Sequence, residues 1–167
     1  IRIFIIQHDC GHGSFFPSRK ANNLVGAVCG VITFTPYKRW KSSHIRHHAT
    51  SSDLDYRGEG DIWTLTVDEY RKRSLWARIG YRTYRNPLVM FVFGGPYVTL
   101  IRNRFPLFDR GVTLTNLAIA ALLMTASFIV GWKTVLMVQL PIMIIATNIG
   151  VWLFYVQHQF EGVYWER

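Results

Sequence analysis

Two long uncharged apolar runs constrain this chain more than any other feature. Thr134 to Val156, TVLMVQLPIMIIATNIGVWLFYV, holds 23 residues without a formal charge. As a helix it would extend about 34 Å, enough to cross a hydrocarbon core of about 30 Å. Leu114 to Trp132, LTNLAIAALLMTASFIVGW, adds 19 more uncharged residues. Joined around Gly131-Trp132-Lys133, the two read as a transmembrane hairpin, with Trp132 and Trp152 suited to the interfacial aromatic belts. A pair of buried core helices in a soluble protein is the competing reading, and two runs of this length leave it little room. Composition agrees, since 50% hydrophobic and 15% aromatic residues against 17% charge lie on the membrane side of soluble usage.

The net charge of +9 is unevenly placed. Between Tyr37 and Pro87 eleven Lys and Arg stand against six acids, Asp53, Asp55, Glu59, Asp61, Asp68 and Glu69, and the positive-inside rule puts that segment on the cytoplasmic side. It lies between apolar runs and shows no nucleic-acid-binding motif, so phospholipid head groups are the expected anionic neighbours and nucleic acid is not. Cys10 and Cys29 make no CxxC pair and no disulfide framework, which fits a reducing compartment. The opening IRIFII has no initiator Met, basic n-region or cleavage site. It reads as the end of a membrane helix in a chain truncated at both ends.

The middle of the chain predicts shorter elements. NNLVGAVCGVITFTPY holds about 14 apolar or small residues, too few for a comfortable span, so a tilted crossing and a re-entrant pair of half-spans both stay open. Thr66 with Glu69 three residues later is a capping-box pattern. Val67, Tyr70, Leu75, Trp76 and Ile79 then form an apolar stripe, which predicts one amphipathic helix on the membrane surface. In RNPLVMFVFGGPYVTLI, Asn86 is a candidate N-cap with Pro87 at the first helical position. The Gly94-Gly95-Pro96 break predicts a kinked or interfacial element. The fold class expected is all-α: an integral membrane helical protein with a cytoplasmic, histidine-rich helical cap.

Five of the six histidines fall in two tight groups, HDCGH and HIRHH. His8 and His12, four apart, share a helical face and can hold one metal ion. In the second group His44 pairs with either His47 or His48 on a face. The adjacent His47 and His48 diverge by about 100°, so they can address two different metals. Imidazoles without thiolates suit Fe, Zn, Cu or Ni, which leaves the metal open. Neutral histidines beside hydrocarbon are costly unless engaged, which favours a metal site. Asp9, Asp53 and Asp55 lie close enough in sequence to accept from imidazole N–H groups, or serve as surface or capping carboxylates.

HDCGHGSFF and HIRHHATSSDLD, the latter led in by TFTPYKRWKSSH, resemble the first two histidine boxes of the membrane fatty acid desaturases, acyl-lipid type, bacterial or cyanobacterial. GDIWTLT, YRNPLVMF and FYVQHQFEGVYWE are similar to that family's spacer and late membrane segments, so the resemblance covers essentially residues 1–167 as a partial desaturase domain. It implies a centre of two non-haem iron ions on the cytoplasmic face, bound mainly by histidines from three boxes. With dioxygen as co-substrate and two electrons, such a centre removes two hydrogens from a membrane lipid acyl chain. By position, His8 and His12 would be ligands from the first box, His44, His47 and His48 from the second, and His158 the additional histidine between the second and third boxes. The chemistry agrees with iron, because an unactivated methylene C–H bond is beyond any side-chain acid or base and redox-inert zinc cannot oxidise it.

The resemblance has a gap. After His158 no histidine follows, so the third box is missing and residues 1–167 alone are expected to be inactive. A separate electron donor of ferredoxin or cytochrome b5 type is implied, and the cations from Arg71 to Arg85 could dock an acidic partner or meet lipid phosphates. A related membrane di-iron hydroxylase or ketolase, and a non-enzymatic membrane metal-binding or transport protein, are the alternatives. The last would need polar residues deep in the spans, where Leu114 to Val156 offers Asn116, Gln139, Asn148 and a few hydroxyls.

Overall fold

A computed structural model describes residues 1–57, 62–158 and Trp165. Glu59, Asp61, the start of the GDIWTLT spacer and most of the QFEGVYWER tail lie outside the described residues. No strand occurs among the described residues, and eight α-helices carry the fold.

Helices α1 (Arg2–His12) and α2 (Arg19–Ile32) form a hairpin. The opening IRIFII lies in the same helix as His8 and His12. Gly13 ends α1 at φ 76°, the left-handed conformation that lets its N–H reach the Cys10 carbonyl. Asn22, almost fully buried, ties the connecting loop together. Its Oδ1 accepts from the Phe16 N–H at 3.0 Å, and its Nδ2 donates to the Phe16 and Ser18 carbonyls at 2.7 and 3.1 Å. At 14 residues, about 21 Å, α2 is shorter than a hydrocarbon core is thick, and the chain turns from it into α3 (Tyr37–Thr50).

Close packing sets how α3 leaves α2. The Tyr37 ring lies over Gly26, where a built Cβ would stand 2.3 Å from it, and the Tyr37 Cβ and backbone sit against Gly30. The turn passes through Phe34 at φ 57°, whose carbonyl accepts from Arg104. Arg104 also donates to Asn116 Oδ1 at 2.6 Å, which ties this turn to the first long helix.

The predicted surface helix is two helices, α4 (Val67–Lys72) and α5 (Leu75–Arg85). Thr66 and Glu69 form the expected reciprocal capping box. Arg57 holds the same Glu69 carboxylate in a two-pronged ion pair, 2.9 and 2.5 Å, and with Thr66 keeps its pKa down at about 2. Arg73 is extended, and the Ser74 hydroxyl then accepts from the Ala77 N–H and starts a second helix. A stripe of apolar residues cannot reveal this break, because a serine that restarts a helix looks like a serine inside one.

After α5, Asn86 Oδ1 accepts from the Leu88 and Val89 N–H groups, the N-capping expected of it. The irregularity assigned to Gly94-Gly95-Pro96 lies one turn earlier, as a π-helical turn over Val89–Phe93 that runs directly into α6 (Gly94–Leu100). The glycines serve packing instead. A Cβ on Gly95 would stand 2.6 Å from the Thr147 backbone of the last helix. Pro96 has no N–H for the Val92 carbonyl one turn back, and Asn148 Nδ2 donates to that carbonyl at 3.1 Å.

The hairpin read from the two apolar runs is present as α7 (Arg110–Val130) and α8 (Trp132–His158), each apolar and long enough to cross a membrane. Asp109 caps α7 and Gly131, at φ 84°, separates the pair. Their outer faces are bare, with Phe128 93% exposed, as helices that meet lipid require. Inside, Ile119 and Met143 close on Phe34, with Val31 and Leu123 alongside, so the short hairpin rests against the spans. At 27 residues, about 40 Å, α8 is longer than a hydrocarbon core is thick, and His158 is its last residue.

Candidate metal centre

Helix geometry brings the two histidine groups together. On α1, His8 and His12 lie one turn apart with Nε2 atoms 3.3 Å from each other. On α3, His44 and His48 do the same at 3.1 Å. The two helices pack so that His12 Nε2 stands 3.1 Å from His44 Nε2. The four rings present one nitrogen each, all within 4.8 Å of one another. This settles which partner His44 takes on its own helix. Nitrogens held about 2.1 Å from one ion would stand about 3.0 Å apart at right angles and about 3.4 Å apart in a tetrahedron, so this donor set fits a single metal ion.

His47 points elsewhere. Adjacent residues on a helix diverge by about 100°, and His47 Nε2 instead meets His158 Nε2 at 2.8 Å, at the end of α8. His47 is buried and His48 exposed. The second box thus splits between two clusters, one joined to α1 and one to the long membrane helix. All six histidines named from sequence fall into these two groups.

Two tautomers are set from outside the clusters. The His158 Nδ1–H donates to the Phe154 carbonyl at 2.8 Å, which leaves the Nε2 lone pair facing His47. The His8 Nδ1–H reaches Asp9 Oδ1 at 3.3 Å, with the same result on α1. Asp53 is used differently. Its carboxylate accepts from the backbone N–H groups of Asp55 and Tyr56 at 2.8 and 3.3 Å, closing a turn after α3. Asp55 enters that turn through its own N–H.

The environment favours the neutral form of His44, His12 and His48. Burial, followed by the rings of His8, His48, His12 and His47, pushes the His44 pKa down to about 3. Burial also lowers His12 and His48, with neighbouring histidines adding to the effect. A neutral imidazole has the free lone pair that a metal requires.

Two contributors carried no role in the sequence reading. The Trp40 ring stacks on His44, centroids 4.7 Å apart and planes 15° apart, and meets Phe4 edge-on at 5.5 Å. Gly11 makes room for it, since a Cβ there would come within 2.9 Å of the indole. Phe154 stacks on His158 at 4.1 Å besides accepting its N–H. The available signal was spacing, because each lies four residues before its histidine and so on the same helix face.

The Fatty acid desaturase family model matches residues 1–167. The chain belongs to the fatty acid desaturase family. A fatty acid desaturase of Bacillus subtilis is 52% identical over 99% of this chain and 49% of its own length. From Synechocystis, an sn-1 oleoyl-lipid 12-desaturase is 27% identical over 90% of the chain and 39% of its own length. An sn-1 acyl-lipid omega-3 desaturase (ferredoxin) of the same organism is 32% identical over 53% and 24%. The desaturase-family chain spans half or less of the length of these relatives. No solved structure matches it. Two apolar helices of spanning length in a chain of this family make it an integral membrane protein.

Proposed function

We propose that residues 1–167 are part of a desaturase domain that introduces a double bond into a membrane lipid acyl chain, and that the two histidine clusters each take one non-haem iron ion. His8, His12, His44 and His48 would hold one ion, and His47 and His158 the other. The observation that carries this is the split of adjacent His47 and His48 between two converging sets of Nε2 atoms. When bound, the metal pair with dioxygen and two electrons supplies the oxidising power for removing two hydrogens from an unactivated methylene pair.

The chain's own residues prepare the place for this. Asp9 and the Phe154 carbonyl hold Nδ1–H groups and so turn Nε2 lone pairs inward. Trp40 and Phe154 cover ring faces of His44 and His158 and keep water from them. Helix α8 links the site to the bilayer, where the acyl substrate resides.

Orientation follows from charge. His158 ends α8 and Arg110 begins α7, so the site lies at the open end of the hairpin, whereas its closed end carries one cation, Lys133 in the first turn of α8. By the positive-inside rule the histidines face the cytoplasm. A separate electron donor is part of this reading, of the ferredoxin or cytochrome b5 type; one relative's name specifies ferredoxin.

The test is expression of the full-length protein in a host lacking the activity, with acyl-chain analysis and iron determination. A new double bond with no retained oxygen, lost in His44→Ala and His47→Ala, is the expected result. An oxygenated acyl product would instead assign a hydroxylase or ketolase, and zinc without turnover a metal-binding protein. Residues 1–167 hold six histidines and no third H-x-x-H-H group, so this segment expressed alone is expected to show no turnover.

A further inference from the structure

We propose that α5 is a contact for anionic phospholipid, in which Arg78, Arg82 and Arg85 hold lipid phosphates while Leu75, Trp76 and Ile79 enter the bilayer. From Tyr70 to Asn86 the chain has six cations and no acid. At about 100° per residue, Leu75, Ile79 and Trp76 fall within one arc of about 100° on α5, and Arg78, Arg82 and Arg85 within the adjoining arc of about 60°. The remaining face is used internally. The Tyr81 and Tyr84 hydroxyls accept from the Leu65 and Trp63 N–H groups, each at 3.2 Å.

The apolar arc is bare, with Leu75 62% and Trp76 79% exposed. The basic arc is pre-arranged: Arg82 lies over the Tyr70 ring at 5.7 Å and Arg85 over the Tyr155 ring at 5.8 Å. Both arginines line a cleft of about 430 Å³ whose other walls include Leu65, Val67, Tyr70 and Tyr81, a space with charge at its edge and apolar walls. An acidic soluble protein would account for the arginines but would leave Trp76 and Leu75 in water whenever it departed. The bilayer that holds α7 and α8 is always present, and it alone satisfies both arcs at once. This inference rests on the membrane reading and is independent of the desaturation chemistry.

The experiment uses the full-length protein in nanodiscs and in neutral detergent. Dioleoylphosphatidylglycerol and dioleoylphosphatidylcholine are compared by native mass spectrometry of bound lipid. Wild type is expected to retain phosphatidylglycerol preferentially, and the Arg78→Gln/Arg82→Gln/Arg85→Gln variant to lose about fivefold in that preference per cation, on the order of a hundredfold in all. The corresponding triple Arg→Lys variant is expected to keep most of it, which separates charge from misfolding. In nanodiscs made with dibrominated phosphatidylglycerol, Trp76→Phe is expected to lower the bromine quenching of tryptophan fluorescence. Equal retention of both lipids by wild type, or quenching unchanged by Trp76→Phe, would overturn the proposal. Arg→Gln-sensitive binding of ferredoxin without any lipid preference would overturn it in favour of a protein dock.

Discussion

At the scale of single residues, His8 and His158 each depend on a neighbour that orients the ring. Asp9 holds the His8 Nδ1–H, and removing such a partner costs about 10- to 100-fold in metal affinity. Asp9→Asn is therefore expected to weaken iron binding by that factor in the full-length protein, measured by chelator competition, with helix content unchanged. His44 makes a pH prediction. Its pKa is pushed down to about 3 in the folded protein, against about 6.5 in an unfolded chain. As the pH falls below about 6.5 the unfolded chain takes up a proton that the folded chain refuses, so metal-free stability is complete above that pH and declines steadily toward about 3. His12 and His48 act in the same direction. Thermal unfolding of metal-free protein in detergent from about pH 7.5 to about pH 5 should show this decline, and His44→Ala should flatten it.

At the scale of elements, the site depends on how closely α1, α2 and α3 approach. Gly26 sits under the Tyr37 ring, and overpacking of this kind typically costs about 1–3 kcal/mol. Gly26→Ala is expected to lower the unfolding temperature and loosen α3, with lower iron occupancy as the second readout. Gly80, on α5, has open space around its Cα. Gly80→Ala is expected to be neutral or to stabilise by up to about 1 kcal/mol, because it improves helix propensity without a clash. The same substitution thus changes sign between two helices, and a melting curve of each variant decides it. The boundary between α4 and α5 shows why element ends were hard to read. Val67, Tyr70, Leu75, Trp76 and Ile79 keep a roughly helical spacing across the break, whereas the break itself depends on Arg73 leaving the helix and on one hydroxyl at Ser74. The π-helical turn at Val89–Phe93 has no sequence mark at all. Its neighbours Gly95 and Pro96 are visible in sequence, but the approach of Thr147 and the hydrogen bond from Asn148 that explain them come from a helix some fifty residues away.

At the scale of the whole molecule, the hairpin of α7 and α8 puts one end of the chain's helices beside the histidines and the other at Lys133. In the full-length protein with all its cysteines, Cys10 and Cys29 included, replaced by serine, Lys133→Cys is expected to react with a membrane-impermeant maleimide in intact cells, and Ser51→Cys only after permeabilisation. The reverse pattern would invert the topology. Much of this architecture was legible in the sequence, because lipid demands long uncharged helices and these leave a local, contiguous trace in Leu114–Val156. The kind of site was legible for a similar reason: HxxxH and HxxHH place imidazoles one turn apart by backbone geometry alone. Which histidines share a cluster was not. His44 could have paired with His47 or His48, and only the packing of α1 against α3, together with the 27-residue reach of α8, sends His48 toward His12 and His47 toward His158. Sequence by itself determined the membrane hairpin, the helical class and the imidazole chemistry, since each follows from short-range spacing. The tertiary structure decided the partition of the histidines, the stacking of Trp40 and the break before α5, since these depend on contacts or on single hydrogen bonds that no periodicity records.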